Sequence, residues 1–170
     1  MLYGVDRSSP CLERVMGLQV KIAAATEVSL AHCIRESAWR GRRRLPNTWA
    51  PGQILVVKVT NAIAALAIVT GPMEDAPEIP SLPGYVRTIP VNWLWTATVP
   101  AERVKIGDWA TSGLRDHSGP HYGFRIINQS PLSVEASRMF LLKLHQAEPI
   151  SLRQAIQAVL PVDTVQRDLH

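Results

Sequence analysis

Four arginines, Arg40, Arg42, Arg43 and Arg44, stand between two tryptophans, Trp39 and Trp49, in the stretch "AWRGRRRLPNTWAPGQ". A guanidinium pairs with phosphate oxygens through two parallel hydrogen bonds and lies flat on bases, and an indole offers a stacking face. The segment therefore has the chemistry of the edge of a nucleic-acid site. The plain alternative is a solvated loop with a core tryptophan at each end. A second polar cluster, "RDHSGPHYGF", holds Asp116, His117 and His121. Two histidines four apart share a face on a helix and can then hold a metal. Here Gly119-Pro120 separates them, so no helix and no metal site is expected. As loop groups the three residues suit contacts to a base edge or a phosphate. No glycine-rich phosphate loop, Gly-x-Ser-x-Gly elbow or Cys–His nucleophile pair occurs, and the carboxylates are scattered. No catalytic residue and no cofactor is assigned.

The composition fits a single folded domain: 170 residues, 46% hydrophobic and 19% charged. The net charge of +4 is modest, but its distribution is uneven. Residues 1–58 carry +5, residues 59–100 carry −2 and residues 101–170 carry +1. Two cysteines, Cys11 and Cys33, make neither a disulfide framework nor a zinc set. The first residues have no apolar signal region and no apolar run reaches about 18 residues. A soluble, cytoplasmic protein with no membrane partner is the expectation.

The elements that would position these groups follow from the pattern. "LQVKIAAA" alternates around Lys21 as a strand, and Thr26 caps a helix over "EVSLAHCIRES". Pro51-Gly52 marks a turn. The β-branched content of residues 53–71 predicts a hairpin, Ile54–Thr60 and Ala62–Thr70, turning near Asn61. Pro72 to Gly84 reads as an irregular acidic loop. "YVRTIPVNWLW" reads as a strand interrupted at Pro90, hence an edge or bulged strand, with Trp93 and Trp95 on one face. A short strand or helical turn is expected within Val99 to Ile106, a long loop over residues 107–123, and a last strand at "FRIINQ". Ser130-Pro131 predicts a helix start, running to about Gln146. Ser151 and Gln154 suggest a capping box for a second helix ending before Pro161. The order predicts an α+β fold around a small twisted sheet or barrel.

Three stretches then resemble the EVE branch of the PUA-like superfamily, related to the YTH and ASCH domains. They are "SAWRGRRRLPNTWAPGQILVV", the strand end "IVTGP" with its acidic loop, and "YVRTIPVNWLW". The likeness covers roughly residues 18–145. It divides the chain into an extension over residues 1–17, an EVE/PUA-like domain over 18–148 and a helical extension over 149–170. Arg40 splits the family's tryptophan-glycine pair, and the last helix has no obvious counterpart. The resemblance implies a bent β-barrel or strongly twisted sheet with flanking helices. It implies a module that binds DNA or RNA and flips a modified base into an aromatic-lined pocket.

On that reading Trp39, Trp93, Trp95 and Trp109 are candidates for the pocket walls, with at most one of Trp93 and Trp95 reaching it. Arg40, Arg42, Arg43 and Arg44 are candidates for phosphate contact, and Asp116, His117 and His121 for polar contacts. Two rival classes stay open. One is an ASCH-like ribonuclease using His117 or His121 as base. The other is a non-catalytic interaction protein, or a homodimer formed through the C-terminal helix. The residues select neither DNA nor RNA, nor a modification.

Overall fold

A computed structural model describes residues 18–105, 126, 128–146 and 149–160. The chain begins with strand β1 (Val20–Ala25), followed by helix α1 (Glu27–Glu36) and strand β2 (Ala38–Gly41). A hairpin follows, β3 (Ile54–Val59) and β4 (Ala62–Val69), then the two-residue β5 (Glu74–Asp75) and the long β6 (Arg87–Thr96). A 3₁₀ turn at Pro100–Glu102 leads to β7 (Val104–Lys105), and two helices, α2 (Val134–His145) and α3 (Ile150–Val159), complete the described order. The strands form one mixed sheet in the order β1-β3-β4-β6-β2, with β5 on β6 and β7 on β4. Among the described strands only β1–β3 is a parallel pair. The fold is α+β, a curled half-barrel.

Each face of the sheet carries its own apolar cluster. Val20, Ile22, Ile54, Val56, Ile63, Leu66 and Trp95 pack with α2 and α3 through Phe140, Leu141, Leu144, Leu152 and Ile156. Ala23, Leu55, Val57, Ala65, Ala67, Ile89 and Val91 pack on the other face with Leu30 and Cys33 of α1 and with Trp39 and Trp49. Each fully buried Leu or Ile contributes roughly 1.5–3 kcal/mol. The α3 residues Leu152, Ala155 and Ile156 are inside this fold, so the helix at 150–159 shares the core of the domain before it.

Several expectations are met in detail. Thr26 caps α1, its hydroxyl accepting from Ser29 N, and Ser29 reciprocates to form a capping box. The hairpin turns at Thr60-Asn61. Gly52 adopts φ +90°, which the turn after Pro51 requires and a Cβ would disfavour.

Others need correction. β6 is not an edge strand: it lies between β4 and β2. Pro90 is tolerated because the strand changes partners there. Residues 91–96 pair with β4 and residues 87–90 with β2. The bulge is real but falls later. Leu66 pairs with Trp95 and Ala67 with Trp93, which leaves Leu94 as the extra residue. Trp93 and Trp95 consequently join opposite apolar clusters instead of sharing a face.

Helix α2 starts at Ser133, whose hydroxyl accepts from Ala136 N at 3.1 Å, not at Ser130. The intervening Leu132 is used otherwise: its N–H donates to Val20 O at 2.8 Å and closes the outer edge of β1. Val20 N–H in turn donates to Ser137 Oγ at 2.8 Å. Ser151 is not a cap either. Pro149 holds that position, and the Ser151 hydroxyl accepts from Trp95 Nε1 at 3.0 Å. Of "FRIINQ", expected as a strand, Phe124, Arg125 and Ile127 lie outside the described residues, while Ile126 is helical and Asn128-Gln129 is a turn with Gln129 at φ +52°.

Candidate functional site

A cavity of about 350 Å³ opens between α1, β2 and the loop that follows β2. Its walls include Ser29 and Cys33 of α1, Trp39 and Arg40 of β2, and Arg42, Arg44, Leu45 and Pro46 of the loop. Ala24, Gly41, Tyr85, Asn128 and Gln129 complete it.

The loop is braced from within. Leu45 N–H donates to Arg42 O at 2.9 Å, and the Leu45 side chain folds directly onto Gly41, where a Cβ would collide with it. The buried Gln53 side chain accepts from Ala50 N at 3.0 Å and donates to Thr48 O at 3.1 Å. The arginines are therefore presented by a folded loop.

The four arginines separate into distinct roles. Arg40 is 8% exposed, donates through Nε to Glu36 Oε2 at 3.1 Å and through Nη1 to Pro77 O at 3.3 Å. Glu36 also lies 2.9 Å from His32 Nε2. Arg40 is thus an internal strut of the wall and not a free cation. Desolvation is the largest single influence on the Glu36 carboxyl and raises it, but the Arg40 guanidinium and His32 together outweigh it and hold the carboxyl below the ordinary range. Arg42, Arg43 and Arg44 are exposed, and Arg42 and Arg44 border the cavity. The Arg42 guanidinium lies over the Tyr85 ring, 5.1 Å from its centroid.

The tryptophans separate as well. Trp39 is 3% exposed and belongs to the core cluster while also lining the cavity. Its Nε1 donates to Gln129 Oε1 at 2.8 Å. Trp93 lies behind α1, donating to Cys33 O at 3.2 Å, and does not border the cavity. Trp95 is buried on the opposite face under α3. Of the pocket candidates in the described residues, only Trp39 takes part. Trp109, Asp116, His117 and His121 lie outside the described residues.

Two lining residues, Tyr85 and Gln129, and one residue behind them, Lys21, escaped the sequence reading. Tyr85 stands in the quoted "YVRTIPVNWLW" stretch, and its place before a strand following a loop is the signal that could have found it. Gln129 carried no signal, because its role depends on a left-handed turn. Lys21 looked like the polar position of an alternating strand, yet it is fully buried. Its Nζ donates to Thr48 Oγ1 at 2.6 Å and to Gln129 O at 2.8 Å, and it lies 4.1 Å from the Trp49 ring centroid. Burial pushes its ammonium down to about 7.

Burial also pushes the Cys33 thiol up to about 11, so this cavity-lining sulfur is a poor nucleophile at neutral pH. Among the described residues no group of three or more His, Cys, Asp or Glu is placed to hold a metal ion. No helix among them is long and apolar enough to cross a membrane.

The chain matches no protein-family model and no curated protein sequence. Among solved structures it is similar to the YTH domain of the Zygosaccharomyces rouxii MRB1 protein, determined in complex with N6-methyladenosine RNA. The TM-score is 0.49 at 12% identity, over 74% of this chain and 85% of that one. It is also similar to the YTH domain-containing protein mmi1, determined as an RNA complex. There the TM-score is 0.42 at 11% identity, over 59% of this chain and 66% of that one.

Proposed function

We propose that the chain is a nucleic-acid-binding module that reads a modified base, held out of its stack in the cavity beside the arginine loop. The observation that carries this reading is the composition of one cavity wall and mouth: Trp39 and Tyr85 with the exposed Arg42 and Arg44. A volume of about 350 Å³ suits a single base and lies at the lower end of small-ligand pockets, roughly 300–1,000 Å³. An extruded base loses its neighbours, and an aromatic wall returns roughly 1–3 kcal/mol of that stacking. Arg42 over Tyr85 occupies the flat face that a base would take, so base entry would exchange one π contact for another and free the guanidinium for phosphate. The EVE resemblance of the flanking stretches agrees with this division of labour. The rival surface on the helix at 150–159 would have to use that helix's exposed residues, since its buried ones pack on its own sheet.

The test is a titration with matched oligonucleotides, unmodified and carrying modified cytosines or adenines, as DNA and as RNA. N6-methyladenosine RNA belongs in the set. At least one modified oligonucleotide binds tenfold or more tighter than its unmodified match, is not cleaved, and binds less as salt rises. Equal affinity for all members of the set overturns the base-reading function.

A further inference from the structure

We propose that Lys21 is a positioning residue that fixes the orientation of Trp39 in the cavity wall, acting through Gln129. The inference rests on the base-reading function only for its consequence in binding; the linkage itself is a property of the free protein.

Lys21 sits in β1, fully buried, and among the described residues its ammonium meets a hydroxyl, a carbonyl and an indole face, with no carboxylate against it. An ammonium has three N–H donors. Here three acceptors surround it: the Thr48 hydroxyl at 2.6 Å, the Gln129 carbonyl at 2.8 Å and the face of Trp49, 4.1 Å from the ring centroid. An apolar residue at this strand position would fill the space without desolvating a charge. The lysine is therefore an expensive choice for packing alone, and what it contributes is a tie between distant segments. It joins the loop that carries the arginines, through Thr48, to the turn at Gln129.

That turn needs the tie. Gln129 is not a glycine, yet it adopts φ +52°, a region that side chains occupy only when the surroundings enforce it. The Lys21–carbonyl bond and the 3.2 Å bond from Gln129 N to Ile126 O supply the enforcement. In this conformation the Gln129 side chain reaches Trp39, accepting from Nε1 at 2.8 Å. Indole N–H is a donor only, so the amide oxygen must be the group that faces it. The chain of contacts Thr48–Lys21–Gln129–Trp39 leaves the indole no spare donor. Trp39 then offers a ligand its ring and no hydrogen bond, and recognition of polar base edges falls to other groups.

The experiment follows the Trp39 indole N–H in two-dimensional ¹⁵N–¹H spectra of the full chain, assigned through Trp39→Phe. Lys21→Met keeps length and removes the tie. The variant is expected to melt near the wild-type temperature while the Trp39 indole signal shifts and exchanges with solvent faster. Affinity for the tightest oligonucleotide of the set falls about tenfold, one step of 1.4 kcal/mol. An unchanged indole signal in a folded Lys21→Met overturns the proposal. If Lys21→Met does not fold, Gln129→Leu tests the last link and must move the same signal. Gln129→Glu, which keeps an acceptor, must restore it, and failure of either result overturns the proposal. If no oligonucleotide binds the wild-type protein, the reader function fails, and the indole signal alone decides the linkage.

Discussion

The two faces of the sheet are built from the same strands yet differ in kind. On the α2–α3 face, the buried polar groups of Trp95 and Ser137 each meet a partner, and the rest is apolar packing. On the α1 face the core holds Lys21, Arg40 and a cavity of about 350 Å³. A sheet can carry one inert, rigidly packed face and one that presents polar groups, since packing on one side positions groups on the other. What separates the faces here is a single residue. With Leu94 bulged out, Trp95 stays with the inert face and Trp93 goes to the α1 face.

The largest effect that distinguishes the faces comes from alanine at each tryptophan. Trp95→Ala is expected to lower folding stability by about 3–5 kcal/mol with no loss of binding beyond that unfolding. Trp39→Ala, at 3% exposure, is expected to destabilise similarly and also to abolish the aromatic wall. Denaturant melts and oligonucleotide titrations on both variants compare them. Trp95→Ala weakening binding while fully folded would blur the distinction between the faces.

Next in size is pH. The Lys21 pKa falls from 10.5 in the ordinary state to about 7 in the fold, so between those values the unfolded chain holds the extra proton. Stability should therefore rise as pH rises from about 7 toward 10.5, by up to a few kcal/mol. Lys21→Met should remove that slope, and a slope unchanged in the variant would show that another group sets it.

Smaller still is Tyr85→Ala, a half-buried ring at the cavity rim. It should leave the melt within about 0.5 kcal/mol and weaken binding by roughly 1–3 kcal/mol. The smallest effect belongs to the exposed cations. Alanine at Arg42 and Arg44 together should flatten the log–log salt dependence by about 1.5–2 units, and Arg43→Ala by less, since Arg43 does not border the cavity. An equal change for Arg43 would assign the whole loop to a diffuse basic surface.

The hairpin at residues 54–69 and the Thr26 cap were legible because β-branched runs and capping hydroxyls act locally. The α+β class followed from their order. The site was legible in part. The arginine loop and Trp39 stood out by residue type, but Trp93 and Trp95 were assigned by a period of two that Leu94 breaks. Arg40 looked like its neighbours in sequence, and although its partner Glu36 is only four residues before it, the pairing depends on the turn at Ser37 between α1 and β2. Gln129 and Lys21 are 108 positions apart, a contact no local pattern encodes.

The closure of β1 has a bearing on how the chain is made. Both backbone groups of Val20 are taken by residues of the α2 segment, one of them 117 positions later. During synthesis, the outer rim of the first strand therefore stays unpaired until nearly the whole domain has emerged. An unpaired rim next to Ile22 and Ala23 is a template for pairing with another nascent copy. A version of this protein cut after Lys105 would keep the arginine loop and Trp39 yet be prone to self-association. The segment around Leu132 and Ser137 thus shields the rim of β1 as well as packing on the sheet.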